Sequence, residues 1–129
     1  MRAIDTNVLV RLVTGDDSTQ AAAAEEFVSS GAWVSHLVLA ETLWVLATVY
    51  DRDAKALAQT VELLLKSQDL TFQDEEVVVE ALKHYRGKPS LGFSDCLVLE
   101  IARKAGHLPL GTFDRHLGKL EGAQRIIAA

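Results

Sequence analysis

Cysteine is almost missing from this chain: Cys96 is the only one in 129 residues. A lone thiol excludes an intramolecular disulfide and a thiolate metal cage, and Cys96 reads as a small buried apolar residue. That usage fits a reducing cytoplasm. No apolar run approaches the length of a membrane span. The opening Met1-Arg2-Ala3-Ile4-Asp5 lacks a signal-peptide core and is expected to enter the fold directly. There is no internal repeat, low-complexity segment or linker, so one domain over residues 1–129 is expected. Positive charge is short as well, with 13 Lys and Arg against 18 Asp and Glu, a net charge of −5. A simple electrostatic nucleic-acid binder would be basic. If the ligand is a polyanion, something must reverse the local sign, and a divalent metal held by carboxylates does so.

What the chain does have is apolar residues, 49% of the total, arranged as short runs alternating with helical stretches. That pattern predicts an α/β fold with a parallel sheet. Strands are expected at Arg2–Asp5, Ala32–Ser35, Leu70–Phe72 and Leu110–Phe113, with a fifth in the tail at Ala123–Ile127. Helices are expected over Asn7–Val13, over Gln20–Val28 with Asp17 or Ser18 as cap, from Ser35 to near Tyr50, and over Asp53–Leu65. Two more run from Asp74 to Tyr85 or Arg86, and from Ser94 to a stop at Gly106. Gly87–Gly92 reads as a loop.

Most acidic side chains lie on faces where solvation accounts for them. Four do not. Asp5 ends an apolar strand, where a helix cap is the simplest reading. Glu41 sits in Leu37–Leu46, with Leu37, Val38, Trp44 and Val45 as its helical neighbours and no Lys or Arg one turn away. A carboxylate there is expected to be paired or to point into a cleft, because unpaired burial costs several kcal/mol. Asp95 falls in the first turn of its helix, which favours an ionised carboxylate. Asp114 closes the fourth strand.

Ligands of parallel α/β sheets bind at the carboxyl ends of the strands. Asp5 and Asp114 close strands at that edge, and the helices carrying Glu41 and Asp95 have their N-termini there. All four are expected on one rim. Glu100, about 7.5 Å of helix rise further along, is expected at the surface. Clustered carboxylates repel unless protonated or neutralised, and oxygen-only ligation suits Mg2+ or Mn2+ rather than zinc. Two divalent ions would cancel four negative charges. Thr6, Asn7, Ser94 and Thr112 are placed to orient ligands. Arg11, Lys88, Arg115 and His116 are candidates for holding flanking phosphates, with surface solvation as the plainer reading. His36 and His107 read as structural. Trp33, Trp44 and Tyr50 read as packing the core or a dimer face.

Ile4-Asp5-Thr6-Asn7-Val8-Leu9, the helical Glu41, Gly92-Phe93-Ser94-Asp95 and Leu110-Gly111-Thr112-Phe113-Asp114 resemble the PIN-domain ribonucleases, and within them the VapC-type toxins of bacterial toxin–antitoxin pairs. The resemblance runs over essentially the whole chain in motif order and spacing. It implies a three-layer α/β fold, a five-stranded parallel sheet flanked by helices, with Asp5, Glu41, Asp95 and Asp114 as the metal site. It also implies endoribonuclease activity, homodimerisation, and inhibition by a cognate VapB-like antitoxin, through which alone DNA would be contacted. Leu117 stands where the family commonly has an aromatic, a packing change. His116 stands where it has an acid or amide, which leaves a fifth ligand open. The expected chemistry is in-line attack of an activated water on a backbone phosphate, leaving 5′-phosphate and 3′-hydroxyl ends.

Two alternatives belong beside this reading. A metal-dependent phosphatase with Asp5 as nucleophile would want a second Asp where Asn7 stands. A non-catalytic binding module of the same fold would have no metal affinity. The apolar helix Leu37–Tyr50 has more greasy surface than one sheet face needs, which predicts burial at a subunit or antitoxin interface.

Overall fold

Helices in the first half of the chain start where a short polar side chain can take up a free backbone N–H. Asp5, Asp17, Ser35 and Asp53 hold extended backbone and accept from the amides of Val8, Gln20, Val38 and Ala56. They open α1 (Thr6–Thr14), α2 (Ser18–Val28), α3 (His36–Thr48) and α4 (Ala54–Lys66). Each such cap stabilises its helix by about 1 kcal/mol. The computed structural model describes residues 1–128 and divides into two units, one of Met1–Glu75 and one from Glu76 onward.

In the first unit β1 (Arg2–Ala3), β2 (Ala32–Val34) and β3 (Leu70–Phe72) form a parallel sheet in the order β1-β2-β3. Ala32 pairs with Arg2 on one side and Leu70 on the other. Leu9, Val10, Val34, Leu39, Leu46 and Val61 are fully or almost fully buried there. The second unit contains α5 (Glu75–Gly87, all but its first residue), α6 (Phe93–Ala105), β4 (Leu110–Thr112), a 3-10 turn (Leu117–Lys119) and β5 (Ala123–Arg125). Its core includes Val78, Leu82, Cys96, Leu97 and Leu99. The rings of Tyr85 and Phe93 meet edge to face at 5.7 Å. Gly106 ends α6 with φ +83, the left-handed stop the sequence predicts. No helix among the described residues is long and apolar enough to cross a membrane.

The α/β class and the parallel pairing hold, but the five strands do not form one sheet. They form a three-stranded sheet and a separate pair, β4 with β5. Strands of two or three residues offer few ladder bonds. Those of β4 go to the neighbourhood of β5, from Leu110 N to Gly122 O and from Ile126 N to Thr112 O. Several strands also stop earlier than expected. Asp5 and Ser35 are helix caps and leave their strands, and the Thr112 hydroxyl accepts from Asp114 N to turn the chain after β4.

α3 corrects the reading of its own surface. Leu39, Leu43 and Leu46 are buried at helical spacing, while Leu37 and Trp44 are 68% and 66% exposed. Trp44 is therefore not a core residue. Tyr50 closes a polar network instead, donating to Asp16 and accepting from Arg11. At the start of α3 the Nδ1 of His36 is buried without a hydrogen-bond partner among the described residues. Burial holds the His36 pKa below its ordinary 6.5, against the pull of Asp74. Its folded pKa is depressed, so the unfolded chain protonates first. Stability should fall as pH drops below about 6.5 and level off once pH is below the folded value. A His36→Gln variant, unable to titrate, should lack that step in melting temperature between pH 7 and 5.

Candidate metal centre

Asp5 lies directly after β1 and Ile4, and its carboxylate is partly committed. Oδ1 accepts from Val8 N at 3.1 Å, which fixes the side chain, and the carboxylate makes no other hydrogen bond among the described residues. The residue is exposed and lines a cleft of about 360 Å³ between α1 and α2, walled by Val8, Ala23, Ala24 and Phe27. Glu41, in the second turn of α3, is also exposed, and no hydrogen bond among the described residues holds its carboxylate. Its apolar neighbours do not bury it, because α3 has two faces. Glu41 lies on the outer one, between Leu37 and Trp44.

In the second unit, Gly92 caps α6 without a side-chain hydrogen bond, and Asp95 is the third helical residue. The Asp95 carboxylate is half-buried and makes no hydrogen bond among the described residues, while its Oδ2 lies 3.5 Å from where a Cβ on Gly92 would stand. Asp114 follows β4 by two residues. Its Oδ1 accepts from His116 N at 2.7 Å and Leu117 N at 2.8 Å, which starts the 3-10 turn. The Leu117 amide, then that of His116, and the charges of His116 and Lys88 hold the Asp114 carboxyl below the usual carboxylate range. Asp114 therefore stays ionised at neutral pH.

Asp5 and Asp114 share a pattern: one oxygen is fixed by backbone N–H groups and the other is left over. Each leaves oxygen that could ligate a hard divalent cation, as do Glu41 and Asp95, whose carboxylates make no hydrogen bond among the described residues. Within either unit no three His, Cys, Asp or Glu side chains among the described residues form a ready metal cage. Each unit carries two of the four candidates.

The other candidates divide clearly. Lys88 and His116 lie near enough to Asp114 to favour its charge, and the exposed Arg115 has no partner among the described residues. Arg11 is occupied. It bonds Asp16 at 3.0 Å, Gln20 at 2.7 Å and Tyr50 at 3.3 Å, so little of its charge is left for phosphate. Thr112 accepts from Asp114 N, whereas the Ser94 hydroxyl and Asn7 amide are exposed and make no hydrogen bond among the described residues. Cys96 is buried, and burial followed by the charges of Asp95 and Glu100 pushes its thiol up to about 11, which removes it from the chemistry.

Sequence reasoning missed two residues. Phe113, counted into the fourth strand, is 69% exposed beside Asp114; its place at a strand end was the available signal. Glu100, expected at the surface, is 5% exposed and tied to His84 and Arg103. Its i+3 arginine was legible.

Residues 3–123 match the PIN domain family. The chain belongs to it. PIN domains are commonly metal-dependent nucleases that act on RNA, typically with Mg2+ or Mn2+. The match runs through both units and takes in Asp5, Glu41, Asp95 and Asp114, so the PIN assignment does not depend on either half alone. Comparison with curated proteins gives no match.

Proposed function

We propose that this PIN protein acts as one domain, a Mg2+- or Mn2+-dependent endoribonuclease of the VapC toxin type, with Asp5, Glu41, Asp95 and Asp114 as its acidic ligands. The observation that carries the reading is the state of the four motif carboxylates. Among the described residues two make no hydrogen bond, and two have a single oxygen pinned by backbone amides. A bound divalent cation supplies Lewis acidity and charge neutralisation for in-line phosphodiester hydrolysis. The protein orients Asp5 and Asp114 through the backbone amides that bond one oxygen of each, and places Asp95 at a helix N-terminus, which favours negative charge. Lys88 and Arg115 offer positive charge, and His116 a hydrogen-bonding ring, for phosphates flanking the cut.

The test is cleavage of a mixed RNA pool with Mg2+, with EDTA and with Asp95→Asn, beside a single-stranded DNA pool. Equal cutting under all three RNA conditions would end the nuclease reading. Cutting of DNA at the RNA rate would widen the substrate to single strands generally.

The exposed Phe113 suits stacking against an unpaired base next to Asp114. Phe113→Ala should raise KM for RNA about tenfold, from the lower part of the roughly 1–3 kcal/mol that one stacked base contributes, and leave kcat nearly unchanged. A fall in kcat at constant KM would remove the stacking role.

Regulation and assembly belong to the same proposal. A cognate VapB-like antitoxin would neutralise the enzyme and provide its only link to DNA. The outward face of α3, with Leu37 and Trp44, would be covered in a homodimer. A cytoplasmic site of action follows from the same toxin reading.

A further inference from the structure

We propose that Glu100 and Arg103 are positioning residues: a buried strut through which α6, the helix of Asp95, sets the position of Asp114. The inference rests on the metal reading above. A carboxylate as buried as Glu100 needs partners, and it has them on both sides. Arg103 Nε lies 3.2 Å from each Glu100 oxygen, and His84 Nε2 on α5 lies 3.0 Å from Oε2.

Ion pairing alone would be a weak argument, since buried pairs often contribute little net stability. What matters is where the arginine goes next. Its Nη2 donates to the Glu121 carbonyl at 2.6 Å. The guanidinium lies so close over Gly122 that an added Cβ would stand 2.9 Å from Nη2 and 3.1 Å from Nη1. Gly122 also has φ +92, which favours glycine on its own account. The Gly122 carbonyl then accepts from Leu110 N at 2.8 Å, which opens the β4–β5 pairing from Leu110↔Ala123 to Thr112↔Arg125. The 3-10 turn lies against β5 just as closely, with Gly118 placed so that a Cβ would meet Arg125 Cβ at 2.8 Å. The Asp114 carboxylate accepts from Leu117 N at the first residue of that turn. One line of contacts therefore runs from Glu100 through Arg103, Glu121 and Gly122 to β5, and from there to Asp114. A planar fork spreads five donors over a rigid frame; a lysine ammonium at the same place gathers three on one nitrogen.

The test uses the full chain carrying Glu100→Gln, Arg103→Lys or Gly122→Ala, with Mn2+ binding measured by calorimetry in the absence of RNA. The amide resonances of His116 and Leu117, which bond the Asp114 carboxylate, provide a second readout. Binding should weaken about tenfold, the low end for groups that support metal ligands, and both amides should shift. The Mg2+ needed for half-maximal cleavage should rise by the same factor, with kcat recovered at saturating metal. A merely structural strut would lower the melting temperature and leave Mn2+ affinity and both amides native in the folded protein; that result overturns the proposal. If Glu100→Gln does not fold, the other two variants decide. Asp95→Asn separates the two readings. Lost Mn2+ binding there beside native binding in the strut variants defeats the strut alone. Native binding in Asp95→Asn defeats the metal reading, and the strut with it.

Discussion

Asp95→Asn is expected to lower RNA cleavage on the order of a thousandfold while leaving the protein folded. Asp95 is half-buried and makes no hydrogen bond among the described residues, so an isosteric amide removes charge and little else. The stability lost is the interaction with the α6 N-terminus, about 0.3–1 kcal/mol. The activity lost is much larger, because a metal ligand takes part in several kcal/mol of transition-state stabilisation, and about 1.4 kcal/mol corresponds to a factor of ten. Chelation by EDTA should match the substitution, and Mg2+ should restore the native protein but not the variant. Measured together, cleavage rate and melting temperature separate the explanations. A variant that melts like the native protein and cuts like it leaves Asp95 outside the chemistry. One that loses rate and melting temperature in parallel places Asp95 in the fold instead.

Local features were legible in the sequence and long-range ones less so, for a physical reason. Asp53, Ser35 and Gly106 act within one turn of themselves, so residue type and spacing were enough to place them. Strand pairing is not local. Nothing in Leu110-Gly111-Thr112 says whether its carbonyls meet β5 alone, and the single five-stranded sheet was an expectation that the hydrogen bonds do not support.

Glu41 and Glu100 differ in burial because of the helix face each lies on. Glu41, which the sequence places in a partnership or a cleft, is turned outward by α3 with Leu37 and Trp44. Glu100 was assigned to the surface from helix rise alone. Helix rise gives distance along the axis and says nothing of the face, and that face carries Cys96 and Leu97 at four and three residues before it, both buried. Arg103, three residues later on the same helix, was the signal that a partner was at hand. Asp5, Asp95 and Asp114 were readable because each sits at an element boundary, where a polar side chain has local work to do; Glu41, inside α3, stood out only by its apolar neighbours.

Two leucines on α3, two residues apart, should respond to the same substitution in different ways. Leu39 is fully buried, and Leu39→Ala removes apolar surface and leaves a space that the packed interior fills only in part. The expected destabilisation is about 2–5 kcal/mol, a large share of the roughly 5–15 kcal/mol that holds a domain folded. Thermal unfolding should therefore begin well below that of the native protein at every protein concentration. Leu37 is 68% exposed, so Leu37→Ala in a lone chain should change stability by no more than about 0.5 kcal/mol. If the outer face of α3 packs against a second copy, the Leu37 effect must grow with protein concentration, because association stabilises only what is associated. Melting curves across a hundredfold dilution series, beside sedimentation of the native chain, read out both. A concentration-independent Leu37→Ala curve together with a monomeric native mass would remove the homodimer while leaving the metal site as it stands. The opposite pairing would tie the greasy outer face of α3, and Glu41 in its midst, to an assembled enzyme.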